Sequence, residues 1–87
     1  MNIGLDFDGT ADQDPELWRQ FIHLCQSRGH RVFVTTARFE DNIKDIEAAL
    51  PGVEIIPSNG KPKKMACDAA DLSIDIWIDD MPQIIME

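Results

Sequence analysis

The chain has 87 residues, of which 44% are hydrophobic and 28% are charged, and this composition predicts one globular domain spanning residues 1–87. Sixteen acidic and eight basic residues give a net charge of −8, which argues against extended binding along a nucleic-acid backbone. No apolar run reaches the ~18 residues of a membrane-spanning helix. The N-terminus also lacks the basic start of a signal peptide, so a cytoplasmic protein without a membrane segment is expected.

Apolar spacing predicts four strands that alternate with helices along the chain. The predicted strands lie at 3–7, 31–36, 53–56 and 74–78. The predicted helices lie at 15–28, 41–50 and 62–72, with a partial last helix that begins near Pro82 and runs to the end of the chain. Asp14 and Pro15 read as the N-cap and first residue of the first helix, which Gly29 ends. This alternation predicts a three-layer α/β/α, Rossmann-like domain around a parallel sheet.

Polar side chains lie at or just after the C-terminal end of every predicted strand, at the edge where parallel sheets bind their ligands. These residues are Asp6 and Asp8, Thr35 and Thr36, Ser58 with Lys61 just beyond it, and Asp79 and Asp80. In the stretch LDFDGT, Asp6 and Asp8 stand one residue apart, and their like charges repel. We therefore expect a positively charged group to offset the charge of these two carboxylates.

The convergence of acids, a hydroxyl and a lysine on one edge suits phosphoryl transfer. Mg²⁺ prefers oxygen ligands and would offset the repulsion among Asp6, Asp8 and Asp79. An aspartate can act as a nucleophile and form an aspartyl phosphate, while a second carboxylate protonates the leaving oxygen and later activates water. A lysine and a hydroxyl can hold the transferring oxygens, because this chemistry depends mainly on positioning and charge stabilisation.

The order of these motifs resembles the haloacid dehalogenase (HAD) superfamily of phosphatases. DFDGT, a strand ending in threonine, a lysine before a helix and a strand ending IDD follow one another over essentially the whole chain. The closest pattern is that of the phosphatase half of polynucleotide kinase and its small phage and bacterial relatives. The resemblance implies a HAD-like sheet of four parallel strands, for which we predict the order 3-2-1-4. Strand 4 would then be an edge that exposes Asp75 and Trp77 and makes self-association plausible.

The resemblance also implies a role for each residue at the sheet edge. Asp6 would be the nucleophile and Asp8 the general acid and base, with Thr36 and a lysine completing the catalytic set. The implied Mg²⁺ ligands are Asp6, Asp8 (through its backbone carbonyl), Asp79 and Asp80, and the implied substrate-binding residues are Gly9, Thr10, Thr35 and Arg38. The lysine is either Lys61 or Lys64, and we favour Lys61 because it lies in the loop, nearer the sheet edge.

The chain departs from the family pattern in ways that bear on the substrate. Only four residues separate Thr10 from Pro15, so neither a β-hairpin flap nor a cap domain fits there. An open site suits the exposed phosphate at the end of a larger molecule, such as a nucleotide or a nucleic-acid terminus, rather than a small metabolite enclosed by the protein. A neighbouring subunit could instead supply a lid, which would favour small substrates.

Two other functions share part of this pattern. A response-regulator receiver also uses a phosphorylatable aspartate, but its adjacent acidic pair follows the first strand and its lysine the last, whereas here the order is reversed. A non-catalytic module could keep the metal and phosphate site and act through a protein partner. The missing flap favours that module, and the full set of catalytic residue types opposes it.

Overall fold

The computed structural model describes residues 1–86 and shows the predicted alternation of strands and helices. The strands are β1 (Asn2–Leu5), β2 (Arg31–Thr36), β3 (Glu54–Pro57) and β4 (Ile76–Ile78). The helices are α1 (Pro15–Ser27), α2 (Lys44–Ala49), α3 (Lys63–Ala69) and α4 (Gln83–Met86), and a 3₁₀ turn spans Ala11–Gln13. The predicted continuation of the last helix to Glu87 lies outside the described residues.

The four strands form one parallel sheet in the order β3-β2-β1-β4, which confirms the predicted topology. Leu5 at the end of β1 pairs with Val34 on one side and with Ile78 on the other. Because all strands run the same way, their carboxyl ends lie along one edge of the sheet. This order places β1 in the interior of the sheet between β2 and β4, so the carboxyl ends of β1 and β4 are adjacent.

A hydrophobic core forms between one side of the two central strands and the adjoining helices. Its buried members are Ile3, Leu5, Phe7, Ala11, Ile22, Val32, Val34, Ile46 and Leu50. Full burial of each large aliphatic side chain stabilises the fold by about 1.5–3 kcal/mol. Residues 32–36 of β2 are all buried, which explains why this strand reads as a continuous apolar and β-branched run.

The first helix begins where its capping residues predict. The Asp14 carboxylate accepts a hydrogen bond from the Leu17 N–H at 3.2 Å, and Pro15 is the first helical residue. The second helix begins later than predicted, at Lys44 rather than Asp41. The reason is a turn in which the Asn42 N–H donates to the Phe39 carbonyl at 2.9 Å.

The ends of α3 and β4 also differ from the prediction. The third helix stops at Ala69, because Asp71 adopts a left-handed φ of +60° and the chain turns there. The fourth strand begins at Ile76, where pairing with β1 starts. Asp75 is exposed as predicted, but Trp77 is half-buried, and a Cβ on Gly4 would lie 3.1 Å from its ring. Within residues 1–86, every helix is too short or too polar to cross a membrane.

Candidate active site

The end of β1 carries Asp6 into contact with the end of β4. The Asp6 N–H donates to the Ile78 carbonyl at 2.9 Å, which extends the strand pairing by one residue. Asp79 and Asp80 follow Ile78 directly, so the two acidic motifs predicted from the sequence meet at this edge. One carboxylate oxygen from each of Asp6, Asp79 and Asp80 lies within 4.8 Å of the others.

A buried lysine joins two of these acids. The Lys63 ammonium donates to Asp6 Oδ1 at 2.7 Å and to Asp79 Oδ2 at 2.6 Å. The side chains of Lys63, Asp6 and Asp79 are only 1%, 7% and 2% exposed. Charges so far from water are tolerated only when they are closely paired, so the three side chains form one interdependent unit.

The expectation that Lys61 lies nearest the sheet edge is wrong. Lys61 is exposed in the loop before α3, and Lys64 turns outward to pair with Asp68 at 2.7 Å. The buried residues of α3 are Lys63 and Cys67, which are four positions apart and so lie on the same face of the helix. The four-residue spacing of Lys63 and Cys67 could have indicated from the sequence that Lys63 is buried. Using this spacing requires knowing that the helix begins at Lys63.

Asp6 also contacts Thr10, and its burial affects its pKa. The Thr10 hydroxyl lies 3.0 Å from Asp6 Oδ2 and 3.4 Å from Asp80 Oδ1, so it can donate to either carboxylate. Burial raises the pKa of Asp6 from 3.8 to about 6, and the hydrogen bond from Lys63 opposes that rise. Near neutral pH Asp6 is therefore mostly ionised, but its charge remains costly.

The turn after β1 requires glycine at position 9, both for its backbone conformation and because the Asp80 carboxylate lies close to it. Its φ is +84°, a conformation that side-chain-bearing residues rarely adopt. A Cβ at this position would also lie 2.4 Å from Asp80 Oδ2. The Gly9 N–H donates to Asp12 Oδ1 at 2.9 Å, so Asp12 holds the turn, a role not recognised from the sequence. Gly9 thus allows the Asp80 carboxylate to approach the backbone.

Asp8 is not part of the acidic trio of Asp6, Asp79 and Asp80, and it pairs instead with Arg38. Arg38 donates from Nη2 to Asp8 Oδ1 at 2.7 Å and from Nε to Asp8 Oδ2 at 3.0 Å, in a bidentate arrangement. Its Nη1 donates to the Asn42 carbonyl at 3.2 Å and to Asp45. The hydrogen bonds to Asp8 and then to Asp45 raise the pKa of Arg38 above its ordinary value. Asp45 is a partner that no local sequence pattern indicated.

The two threonines at the end of β2 have different surroundings, although both are buried. The Thr36 hydroxyl accepts a hydrogen bond from the Arg38 N–H at 3.2 Å, so it lies beside the Arg38 loop at the sheet edge. The methyl group of Thr35 lies against β1, 3.3 Å from where a Cβ on Gly4 would stand. Among the described residues, Thr35 Oγ1 has no hydrogen-bond partner. The geometry therefore connects Thr36, but not Thr35, to the other predicted site residues.

Comparisons with protein-family models, with curated proteins and with solved structures find no match to this chain. The side-chain geometry of the site is therefore what indicates a function for this chain.

Proposed function

We propose that the protein is a Mg²⁺-dependent phosphomonoester hydrolase that acts through an aspartyl phosphate on Asp6. The observation that carries this proposal is the Asp6 carboxylate, held between Lys63 and Thr10 at a sheet edge that also presents Asp79 and Asp80. The strand order and the sequence of motifs support a three-layer, capless HAD-like core, the fold in which this arrangement would be expected.

The charges at the site fit a divalent cation. Three carboxylates and one ammonium leave a net charge of −2 in the cluster of Asp6, Asp79, Asp80 and Lys63. Hard oxygen donors are the ligands that Mg²⁺ prefers. The side chains of the acidic trio, with the backbone carbonyl of Asp8, would hold the ion. Bound there, Mg²⁺ would offset negative charge on the phosphoryl oxygens.

The chain's own residues would divide the chemistry between two carboxylates. An Asp6 oxygen attacks phosphorus and the ester P–O bond breaks, while the departing oxygen takes a proton from Asp8. Asp8 then removes a proton from water, whose oxygen attacks the acyl phosphate, releasing orthophosphate and restoring Asp6. Lys63 fixes the orientation of Asp6 and offsets its charge. The Thr36 hydroxyl would contact a phosphoryl oxygen.

The substrate we propose is a phosphorylated small molecule or the terminal phosphate of a nucleic acid. Of the three clustered lysines, Lys63 is buried and Lys64 is paired, which leaves Lys61 as the exposed cation of that group. With a net charge of −8, this does not favour contact along an extended backbone. Self-association could instead build a lid from a second copy, which would favour the phosphorylated small molecule.

A second candidate function is a non-catalytic module that binds a metal ion and phosphate and acts through a partner. The observation that favours it is the Asp8 carboxylate, both of whose oxygens accept hydrogen bonds from Arg38. A general acid needs access to the departing oxygen, and this pairing blocks that access until Asp8 and Arg38 separate.

Replacement of the nucleophile separates the two functions. Asp6→Asn should abolish Mg²⁺-dependent hydrolysis, because an amide cannot form the acyl phosphate, and Asp8→Asn should lower the rate by roughly 10²- to 10⁴-fold. Asp41→Asn removes an exposed charge from another loop and is the matched control. Assays should compare a terminally phosphorylated oligonucleotide, a mononucleotide and a sugar phosphate. Full turnover by Asp6→Asn would rule out the covalent mechanism, and Mg²⁺ binding without turnover by the unmodified protein would favour the module.

A further inference from the structure

Arg38 uses its two edges for different partners. The edge formed by Nε and Nη2 faces the Asp8 carboxylate, with donor–acceptor distances of 3.0 and 2.7 Å. The other nitrogen, Nη1, binds the Asn42 carbonyl and the Asp45 carboxylate in the first turn of α2. The guanidinium carbon also lies 5.5 Å from the centre of the Phe7 ring, within the range of a cation–π contact. Arg38 is therefore anchored independently of Asp8.

The Asp8 side of this arrangement is open to solvent. The Arg38 side chain is 19% exposed, whereas the Asp8 side chain is 54% exposed. Removing Asp8 from the guanidinium would therefore disturb little packing. The edge it covers offers two parallel N–H donors, a geometry that matches phosphate as well as carboxylate. The backbone N–H of Arg38 donates to the Thr36 hydroxyl at 3.2 Å, so the loop that carries this guanidinium is held at the residue predicted to contact phosphate.

We propose that the Asp8 carboxylate occupies the edge of Arg38 that binds the substrate phosphate, and that a phosphate monoester displaces Asp8 from this edge on binding. This inference rests on the proposed function. The exchange accounts for how Asp8 becomes free, because the phosphate that takes the Nε–Nη2 edge releases both Asp8 oxygens for the departing group. Asp45 is then a positioning residue, which keeps Arg38 at the sheet edge while its partner changes.

A double-mutant cycle on phosphate binding tests the exchange. Inorganic phosphate would be titrated calorimetrically, in the presence of Mg²⁺, into the unmodified protein, Asp8→Asn, Arg38→Gln and the double variant. Removing the competing carboxylate should tighten binding about tenfold when Arg38 is present, and by much less in the Arg38→Gln background. Arg38→Lys keeps the positive charge but lacks the two parallel N–H donors, so its phosphate affinity should respond to Asp8→Asn as little as that of Arg38→Gln does. This variant serves as the test if Arg38→Gln does not fold. Equal tightening by Asp8→Asn in both backgrounds, or no phosphate binding by the unmodified protein, would overturn the exchange.

Steady-state kinetics test the role of Asp45. Asp45→Asn should raise KM about tenfold with a much smaller change in kcat, because Arg38 is held less firmly while the reacting groups are untouched. Asp45→Glu should restore part of the loss, and Glu47→Gln, which removes an exposed charge from the same helix, should have no effect. A fall in kcat at constant KM would mean that Asp45 only supports the fold. The calorimetry needs no turnover, so the exchange and the phosphatase proposal can fail separately.

Discussion

Replacing Lys63 by methionine is the most direct test of how this site is built. Methionine preserves much of the side-chain volume but leaves Asp6 and Asp79 buried without the ammonium they share. Breaking a buried ion pair by removing one partner costs about 3–5 kcal/mol. A domain of 87 residues has a total stability on the order of 4–13 kcal/mol. Lys63→Met should therefore remove a large part of the free energy of unfolding at pH 7.

The neighbouring lysines provide matched controls for this experiment. Lys61→Met and Lys64→Met, at exposed positions, should change stability by no more than about 1 kcal/mol in urea unfolding followed by tryptophan fluorescence. Lys63 lowers the pKa of Asp6, so Asp6 protonates more readily in Lys63→Met, and the penalty should shrink as the pH falls from 7 to 6 because a protonated carboxyl needs no counter-charge. Adding Asp6→Asn should recover part of the loss for the same reason. If Lys63→Met costs no more than Lys61→Met at pH 7, the buried ionic unit is not what holds this edge together.

Two further predictions concern the acidic trio. Gly9→Ala and Gly29→Ala both place a side chain at a φ near +85°, so each should cost about 1 kcal/mol of stability or more. A Cβ on Gly9 would collide with the Asp80 carboxylate, whereas a Cβ on Gly29 meets nothing within 4 Å. Calorimetry should therefore show weakened Mg²⁺ binding in Gly9→Ala but not in Gly29→Ala. In protein kept metal-free with a chelator, the raised pKa of Asp6 means that the folded state holds its proton more tightly than the unfolded state. Its contribution to stability is therefore fully present below pH 4 and is lost as the pH rises through about 6, by at most about 3 kcal/mol. Asp6→Asn should flatten that part of the unfolding free energy profile, and an unchanged profile would contradict the pKa shift.

The sequence predicted the elements whose signals are local. The strand at 31–36 has the predicted bounds because a buried central strand reads as an unbroken apolar and β-branched run. The start of α1 was predictable from Asp14 and Pro15, since capping chemistry depends on adjacent residues. Asp6 and the acidic pair at 79–80 were expected to meet because parallel strands end at one edge, and the structure confirms that they do.

The errors arise where a side chain's direction depends on tertiary structure. Choosing among Lys61, Lys63 and Lys64 requires the helix start to within one residue, because each step along a helix turns the side chain by about 100°. The later start of α2 has a similar cause, since the turn before it is held by Arg38 from outside the helix. The contact between Arg38 and Asp45 joins a loop to a helix and leaves no periodic trace in the sequence.

The carboxylates of Asp6 and Asp8, which were expected to repel each other, each pair with a cation of their own. Asp6 pairs with the buried Lys63, whereas the more exposed Asp8 pairs with Arg38. The two pairings differ in exposure, because Lys63 is buried and Asp8 is more than half exposed. An exposed pair exchanges partners at little cost, whereas a buried pair does not. This difference fits the proposed chemistry, in which Asp6 must stay fixed for attack on phosphorus and Asp8 must move to deliver and collect a proton.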